Sequence, residues 1–230
     1  MDLCKEIYKI VKSNLSQIMD LRNTGMLKSD GTFVSQGDLL SESLISSYLA
    51  KQSLNYVLIS EESYNKKQNF ANSEYIITID PIDGTENFIL GLKEWGVGMS
   101  VYRNLRHQQS MIYLPELDIC LCTGDKLDRI SYSRICGLSS YMSPNDFNFL
   151  DGQFKYRIMG CCMYNMYNVI RGSYAKFIHL KGCYSWDILP GINLALEHGL
   201  DVEIEGEKYT GEMLIPGIKY SFKVEYNGKG

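Results

Sequence analysis

Along the first twenty positions apolar residues recur at helical spacing. Leu3, Ile7, Ile10, Val11, Leu15, Ile18 and Met19 fall on one face, which predicts a helix over 3–21 with Asp2 as its N-cap. The polar stretch RNTGMLKSDGTFVSQGD then breaks the period and predicts a loop or hairpin. Ser35 and Asp38 form a capping pair before a second helix, with Leu40, Leu44, Tyr48 and Leu49 on one face. After that the elements shorten. YVLIS at 56–60 and YIITI at 75–79 read as strands, and GVGMSVY, SMIYL and ICLCT add three more between 96 and 123. From 124 to 155 the pattern weakens: Lys126, Asp128, Arg129 and Arg134 make it polar, and SPNDFN reads as a turn. This divides the chain into halves at 1–125 and 126–230. Beyond it, 161–171 read as a helix, YAKFIHL as a strand, and 187–198 as a helix closed by Gly199. Helices and strands alternate without a βαβ rhythm, so the expected class is α+β or a layered α/β/α arrangement rather than a Rossmann sheet.

Composition narrows the function. The chain has 230 residues and a net charge of -4, which argues against a protein built to grip the nucleic-acid backbone. It leaves a small phosphate ester open as a ligand. No apolar run reaches the length of a membrane span, so no membrane association is expected. The opening MDLCKEIYKIVK, with acids at Asp2 and Glu6, does not read as a secretory signal. Seven scattered cysteines without a C-x-x-C pair argue against a zinc site or a disulfide framework. The expected setting is reduced and cytoplasmic.

The chemistry concentrates in YIITIDPIDGTENF. Asp80 sits where an apolar strand ends, and Pro81 holds Asp80 extended. Asp83-Gly84 reads as a tight turn, with Gly84 free to take positive φ. The two carboxylates converge, and the N–H groups of Gly84 and Thr85 open a short helix suited to an anion. Close carboxylates share a proton or hold a cation, and oxygen ligands without histidine or thiolate favour Mg²⁺, Mn²⁺ or Ca²⁺. D-P-x-D-G is equally good chemistry for a plain surface turn. Two other features bear on that choice: Glu61-Glu62 in LISEES end the neighbouring strand, and Trp186-Asp187 in CYSWDILPG open a helix.

Taken together, SEES, DPIDGTENF and WDILPG resemble the three signature motifs of the inositol monophosphatase family of metal-dependent, lithium-sensitive phosphatases, which includes bisphosphate nucleotidases. The resemblance runs from the first helix to about residue 200. It implies a layered αβαβα sandwich of the kind shared with fructose bisphosphatases. It also implies two or three Mg²⁺ ions per site. Glu61, Asp80 and the Ile82 carbonyl would hold the first, and Asp80, Asp83 and Asp187 the second. Metal-activated water would attack phosphorus, with Thr85, linked to Asp38, handling its proton and Glu61 also serving catalysis. Gly84 and Thr85 would bind the phosphate. Lys28 falls in a loop over the site, and Gly160-Cys161-Cys162 stands where the family has a small-residue segment. Trp186 would pack under the Asp187 turn, and Pro190 would fall in the first helical turn. A homodimer acting on a small phosphorylated metabolite, an inositol monophosphate or sugar phosphate, is the implied assembly and substrate.

The chain departs from the family around the leaving group. Seven residues before Asp187, where inositol monophosphatases have a sugar-binding glutamate, stands Leu180, between His179 and Lys181. The glycine-rich hairpin expected after IYLPELDICLCTGDK is missing. A bisphosphate nucleotidase is the alternative enzyme, with Lys126, Arg129, Arg134, Arg157 and Arg171 as candidates for a second phosphate. A relative that mainly binds a protein or RNA partner is the alternative of another class.

Overall fold

Asn14 divides the first helical stretch. Its side-chain amide donates to the Ile10 carbonyl at 2.8 Å, competing with the backbone ladder. The result is α1 (Leu3–Ser13), capped by Asp2 through the Lys5 N–H, and α2 (Leu15–Asp20). The computed structural model describes residues 2–67, 70, 73–140, 142–148, 150 and 152–228. The polar stretch that follows is a hairpin, β1 (Met26–Leu27) against β2 (Phe33–Val34). α3 (Gln36–Leu49) starts at a capping box of Ser35 and Asp38. Its buried line is Asp38, Ser41, Ile45 and Leu49, while Leu40, Leu44 and Tyr48 flank it half-buried.

The first sheet takes β3 (Tyr56–Ser60), β4 (Tyr75–Asp83), β5 (Gly96–Arg103), β6 (Arg106–Leu114) and β7 (Ile119–Cys122) in chain order. β3 and β4 are parallel; the rest form an antiparallel meander. β4 runs on through Asp83, past the expected end at Ile79, and its register against β5 shifts between Asp80 and Asp83. That irregularity, where Pro81 has no N–H to donate, turns the acidic end of the strand out of the ladder. A short helix, α4 (Thr85–Ile89), follows at once.

The second sheet was largely hidden in the sequence. It holds β8 (Ile135–Leu138), β9 (Lys155–Ile158), β10 (Lys176–Cys183), β11 (Asp201–Ile204), β12 (Glu207–Lys208) and β13 (Tyr220–Glu225), in the order β12-β11-β13-β10-β8-β9. β8, β9 and β10 are parallel. The link between the sheets, 123–134, contains the expected division at 125/126. The two halves nevertheless share a core. α5 (Cys162–Arg171) and α6 (Ser185–Glu197) lie between the sheets, and one apolar cluster joins Ile59 and Ile112 of the first to Phe177 and Val224 of the second. α1 and α3 cover the outer face of the first sheet through Ile7, Ile45 and Leu49, and α2 packs on α3.

This is the expected layered α+β sandwich. Among the described residues no α-helix covers the far face of the second sheet. The segment after β8 crosses it instead, with Asp146 paired to Lys181 at 2.8 Å and the Lys176 ammonium 4.0 Å from the Phe154 ring centre. One expectation needs correcting: α6 begins at Ser185, so Pro190 is its sixth residue and lies in the second turn. There it removes one intrahelical hydrogen bond instead of occupying a position that has none.

Candidate metal centre

Three segments deliver the acids. Glu61 directly follows β3, Asp80 lies in β4 beside the register shift, and Asp187 is the third residue of α6. Because β3 and β4 are parallel neighbours, Glu61 and Asp80 leave the sheet at the same end. One carboxylate oxygen from each of Glu61, Asp80 and Asp187 lies within 4.8 Å of the others. Asp80 is almost wholly buried and its Oδ1 accepts from the Ile82 N–H at 3.1 Å. Asp187 Oδ2 accepts from the Tyr184 N–H at 2.7 Å and so also caps α6.

Burial and mutual repulsion shift these groups together. Burial pushes Glu61 up to about 7, against the pull of Lys28. Burial, then the charges of Glu61, Asp83 and Asp187, pushes Asp80 well above the carboxylate range. Asp187 moves the same way by burial and by Glu61. Lys28, from the β1–β2 hairpin, meets Glu61 at 3.2 Å and Glu62 at 2.8 Å. Burial works against its ammonium, but the two glutamates hold it above its ordinary value. Three desolvated carboxylates with one ammonium beside them leave a negative excess, and every donor is a hard oxygen. These residues fit a divalent cation such as Mg²⁺.

Asp83 stands apart from this trio. Its Oδ2 accepts from the Met163 N–H and, at 3.0 Å, from the Cys161 thiol, at the start of α5. It thus binds the first sheet to α5 while its charge still acts on Asp80 and Asp187. Cys161 in turn accepts from the Tyr164 N–H at 3.3 Å, as the N-cap of α5. Gly84 needs to be glycine twice over: φ is +81°, and a Cβ would meet the Cys161 Cβ at 3.0 Å.

Thr85 opens α4 and its hydroxyl donates to Asp38 Oδ1 at 2.9 Å, with the Ile82 carbonyl at 3.0 Å. The other Asp38 oxygen takes the Ser35 N–H and hydroxyl at 2.8 and 2.6 Å. Burial raises the Asp38 carboxyl against those hydrogen bonds. Asp38 does not reach open space; its contact with the site runs through Thr85.

These groups open on a cleft of about 1140 Å³ between the sheets, which Lys28, Glu61, Asp80, Asp83, Thr85 and Asp187 line. Ile82, Gly84, Gly160 and Cys161 line it too. Trp186 stacks on Tyr184, with ring centres 4.7 Å apart, below the Asp187 turn. None of the five basic residues considered for a second phosphate lines the cleft. Arg129 instead donates to the Val169 and Ile170 carbonyls at the end of α5. The cleft residues that sequence reasoning missed include Ser139, Asn165, Tyr184 and Lys219. His179 and Glu62 were seen only as flanks of other positions.

A family model described as the inositol monophosphatase family matches residues 1–214. An inositol-1-monophosphatase from Mesorhizobium japonicum is 32% identical over 92 residues, 40% of this chain and 34% of that one. The Nus factor SuhB of Pasteurella multocida is 31% identical over 96 residues, 42% of this chain and 34% of that one. Each match thus spans about a third of the relative's own length. In solved structures the fold recurs over nearly the whole chain. A crystal structure of an IMPase/NADP phosphatase complexed with Mg²⁺ and phosphate has a TM-score of 0.77 at 20% identity, covering 97% of this chain and 92% of that one. The match over residues 1–214, the layered sandwich and the trio of acids at its cleft agree: the chain belongs to the inositol monophosphatase family.

Proposed function

We propose that the protein is a Mg²⁺-dependent phosphomonoesterase that hydrolyses a small phosphorylated metabolite, an inositol monophosphate or a sugar phosphate. The observation that carries this is the meeting of Glu61, Asp80 and Asp187 within 4.8 Å beside a Thr85–Asp38 pair. The trio with Asp83 and the Ile82 carbonyl would hold divalent cations, which when bound would supply positive charge to offset the acids, acidify water and stabilise charge on phosphorus oxygens. The chain's own residues do the rest. The Thr85 hydroxyl donates to Asp38 Oδ1, so its free lone pair faces an attacking water; as Thr85 takes the water's proton it passes its own to the Asp38 carboxylate. The N–H groups of Gly84 and Thr85, in the first turn of α4, have no intrahelical acceptor and suit a phosphate oxygen. Gly160 and Cys161 pack against Gly84 and line the cleft beside it. Lys28 neutralises Glu61 and Glu62 and suits an anionic substrate as it approaches.

The test is phosphate release by purified protein with Mg²⁺ from a panel of inositol, sugar and nucleotide monoesters. Release from at least one, abolished by chelation, is expected; no release from any would end the reading. A second reading, favoured by the likeness to a Nus factor, is a role exerted through a protein or RNA partner. An Asp80→Asn variant that fully rescued a deletion strain would favour that reading over catalysis.

A further inference from the structure

Across the cleft from the acids, a second group of buried polar side chains lacks partners. β8 and β10 are parallel, with Leu138 opposite Ile178, and the Ser139 N–H donates to the Ile178 carbonyl at 3.2 Å. Ser139 and His179 therefore stand side by side where β8 ends and the pairing of β10 with β13 shifts register. Asn165 of α5 hangs over the same floor: a Cβ on Gly137 would lie 3.2 Å from its Oδ1 and 3.0 Å from the Tyr174 ring, a tight approach that glycine relieves. Ser139, Asn165 and His179 are 4%, 1% and 5% exposed, and all three line the cleft. Among the described residues none gives a partner to Ser139 Oγ, Asn165 Oδ1 or His179 Nδ1. The Asn165 orientation is fixed, because its Nδ2 donates to the Cys161 carbonyl at 2.8 Å. Buried polar atoms left unpaired are costly, so such a cluster is a place for a ligand's hydrogen-bonding groups.

The inventory restricts that ligand. Asn165 Oδ1 only accepts, so its partner must carry a hydrogen; a phosphate or carboxylate dianion has none to offer. His179 is flat against Phe222, with ring centres 5.5 Å apart. Burial, then the charge of Lys219, pushes it down to about 4, so it is a neutral imidazole. Leu180, by contrast, is 41% exposed and is not among the cleft-lining residues.

We propose that His179 is a specificity-determining residue which, with Ser139 and Asn165, forms an uncharged hydrogen-bonding recess for the leaving group. The recess selects leaving groups with a hydroxyl or N–H at that depth over those without one. This rests on the phosphatase reading above. The test compares kcat/KM for p-nitrophenyl phosphate and a hexose monophosphate. In His179→Phe, which keeps a ring against Phe222, the ratio of hexose monophosphate to p-nitrophenyl phosphate should fall about tenfold, as expected for one lost hydrogen bond. Ser139→Ala should lower it in the same direction. An unchanged ratio in both variants overturns the inference. If no substrate is turned over, the phosphatase reading fails and the recess is judged separately. The chain has three histidines, so imidazole ¹⁵N signals are readily assigned by substitution. Millimolar glucose should shift the His179 signal, and its failure to do so counts against the recess.

Discussion

The two walls of the cleft hold buried polar groups of opposite character. On one, Glu61, Asp80 and Asp187 crowd like charges within 4.8 Å. On the other, Ser139, Asn165 and His179 are neutral, and Ser139 Oγ, Asn165 Oδ1 and His179 Nδ1 have no partner among the described residues. Like charges at that distance repel strongly in a low-dielectric setting, so few residue types and few spacings satisfy the first wall, and a cation is the natural answer. The second is satisfied by any group that donates and accepts, water included. A wall built on charge is therefore narrow in sequence, whereas a wall built on neutral hydrogen bonding can change its residues and keep its shape. The chemistry at phosphorus and the choice of leaving group are thus free to vary separately.

The strongest way to break this contrast is to remove charge from the first wall. Asp80→Asn should lower kcat/KM about a thousandfold, since a bound metal supplies several kcal/mol of charge stabilisation. The same variant should melt at a higher temperature than wild type in chelator, because one of three repelling carboxylates is gone. Wild-type turnover would remove the metal assignment, and an unchanged melting temperature would remove the repulsion.

Next in size is the pH dependence of stability in chelator. Glu61 rises to about 7, and Asp80 and Asp187 rise as well. An acid with a raised folded-state pKa keeps its proton in the native chain after the unfolded chain has lost it. Stability therefore falls as pH climbs from the ordinary carboxylate range, near 4, to about 7. The loss should be on the order of 3 kcal/mol from Glu61 alone, and Mg²⁺ should recover it. Denaturant melts between pH 5 and pH 8 with and without Mg²⁺ check this. A flat profile in chelator contradicts the charged wall.

The same contrast explains what could be read from the chain. Glu61, Asp80 and Asp187 were legible because strand ends, a proline and a helix start each leave local marks, and together they spell the family's motifs. β3 matched its expected bounds, and the Ser35–Asp38 capping pair was found as a capping box. β8 was missed because ICGL is four residues long, carries a glycine and follows a polar tract. β11 and β13 were missed because their alternation is short and their exposed positions carry charges such as Glu203 and Lys223. His179 could be seen only as the neighbour of Leu180, since strand orientation near the Gly182 irregularity is not a local property of the sequence. The pairing of Asp83 with the start of α5 joins positions about eighty apart, and no local signal marks it.

A smaller effect probes how far the first wall reaches past its charges. Thr85→Ala should lower kcat about a hundredfold with little change in KM, as for loss of a proton-transfer group. Asp38→Asn should act in the same direction through Thr85, and should also weaken the start of α3 by about 1 kcal/mol, because it loses the capping-box carboxylate. Equal losses in kcat and stability for Thr85→Ala would make the hydroxyl a structural tie only.

The smallest expected effect lies at the seam between the walls, where Cys161 donates to Asp83 and caps α5. Cys161→Ser keeps a donor and an acceptor on a shorter side chain and exchanges a weak cap for a strong one. It should change stability by less than about 1 kcal/mol and leave kcat/KM within about twofold. Cys161→Ala loses both bonds and leaves Asp83 Oδ2 with backbone donors alone; it should destabilise by about 1 kcal/mol and raise KM more than it lowers kcat. Asp83→Asn strikes both sides of the seam, because an amide accepts the Met163 N–H more weakly than a carboxylate and takes a charge from the cation site. It should therefore lose turnover and stability together, whereas Asp80→Asn loses turnover with Mg²⁺ and gains stability in chelator. If Asp83→Asn were as stable as wild type, Asp83 would belong to the charged wall alone, and the two walls would meet without a shared residue.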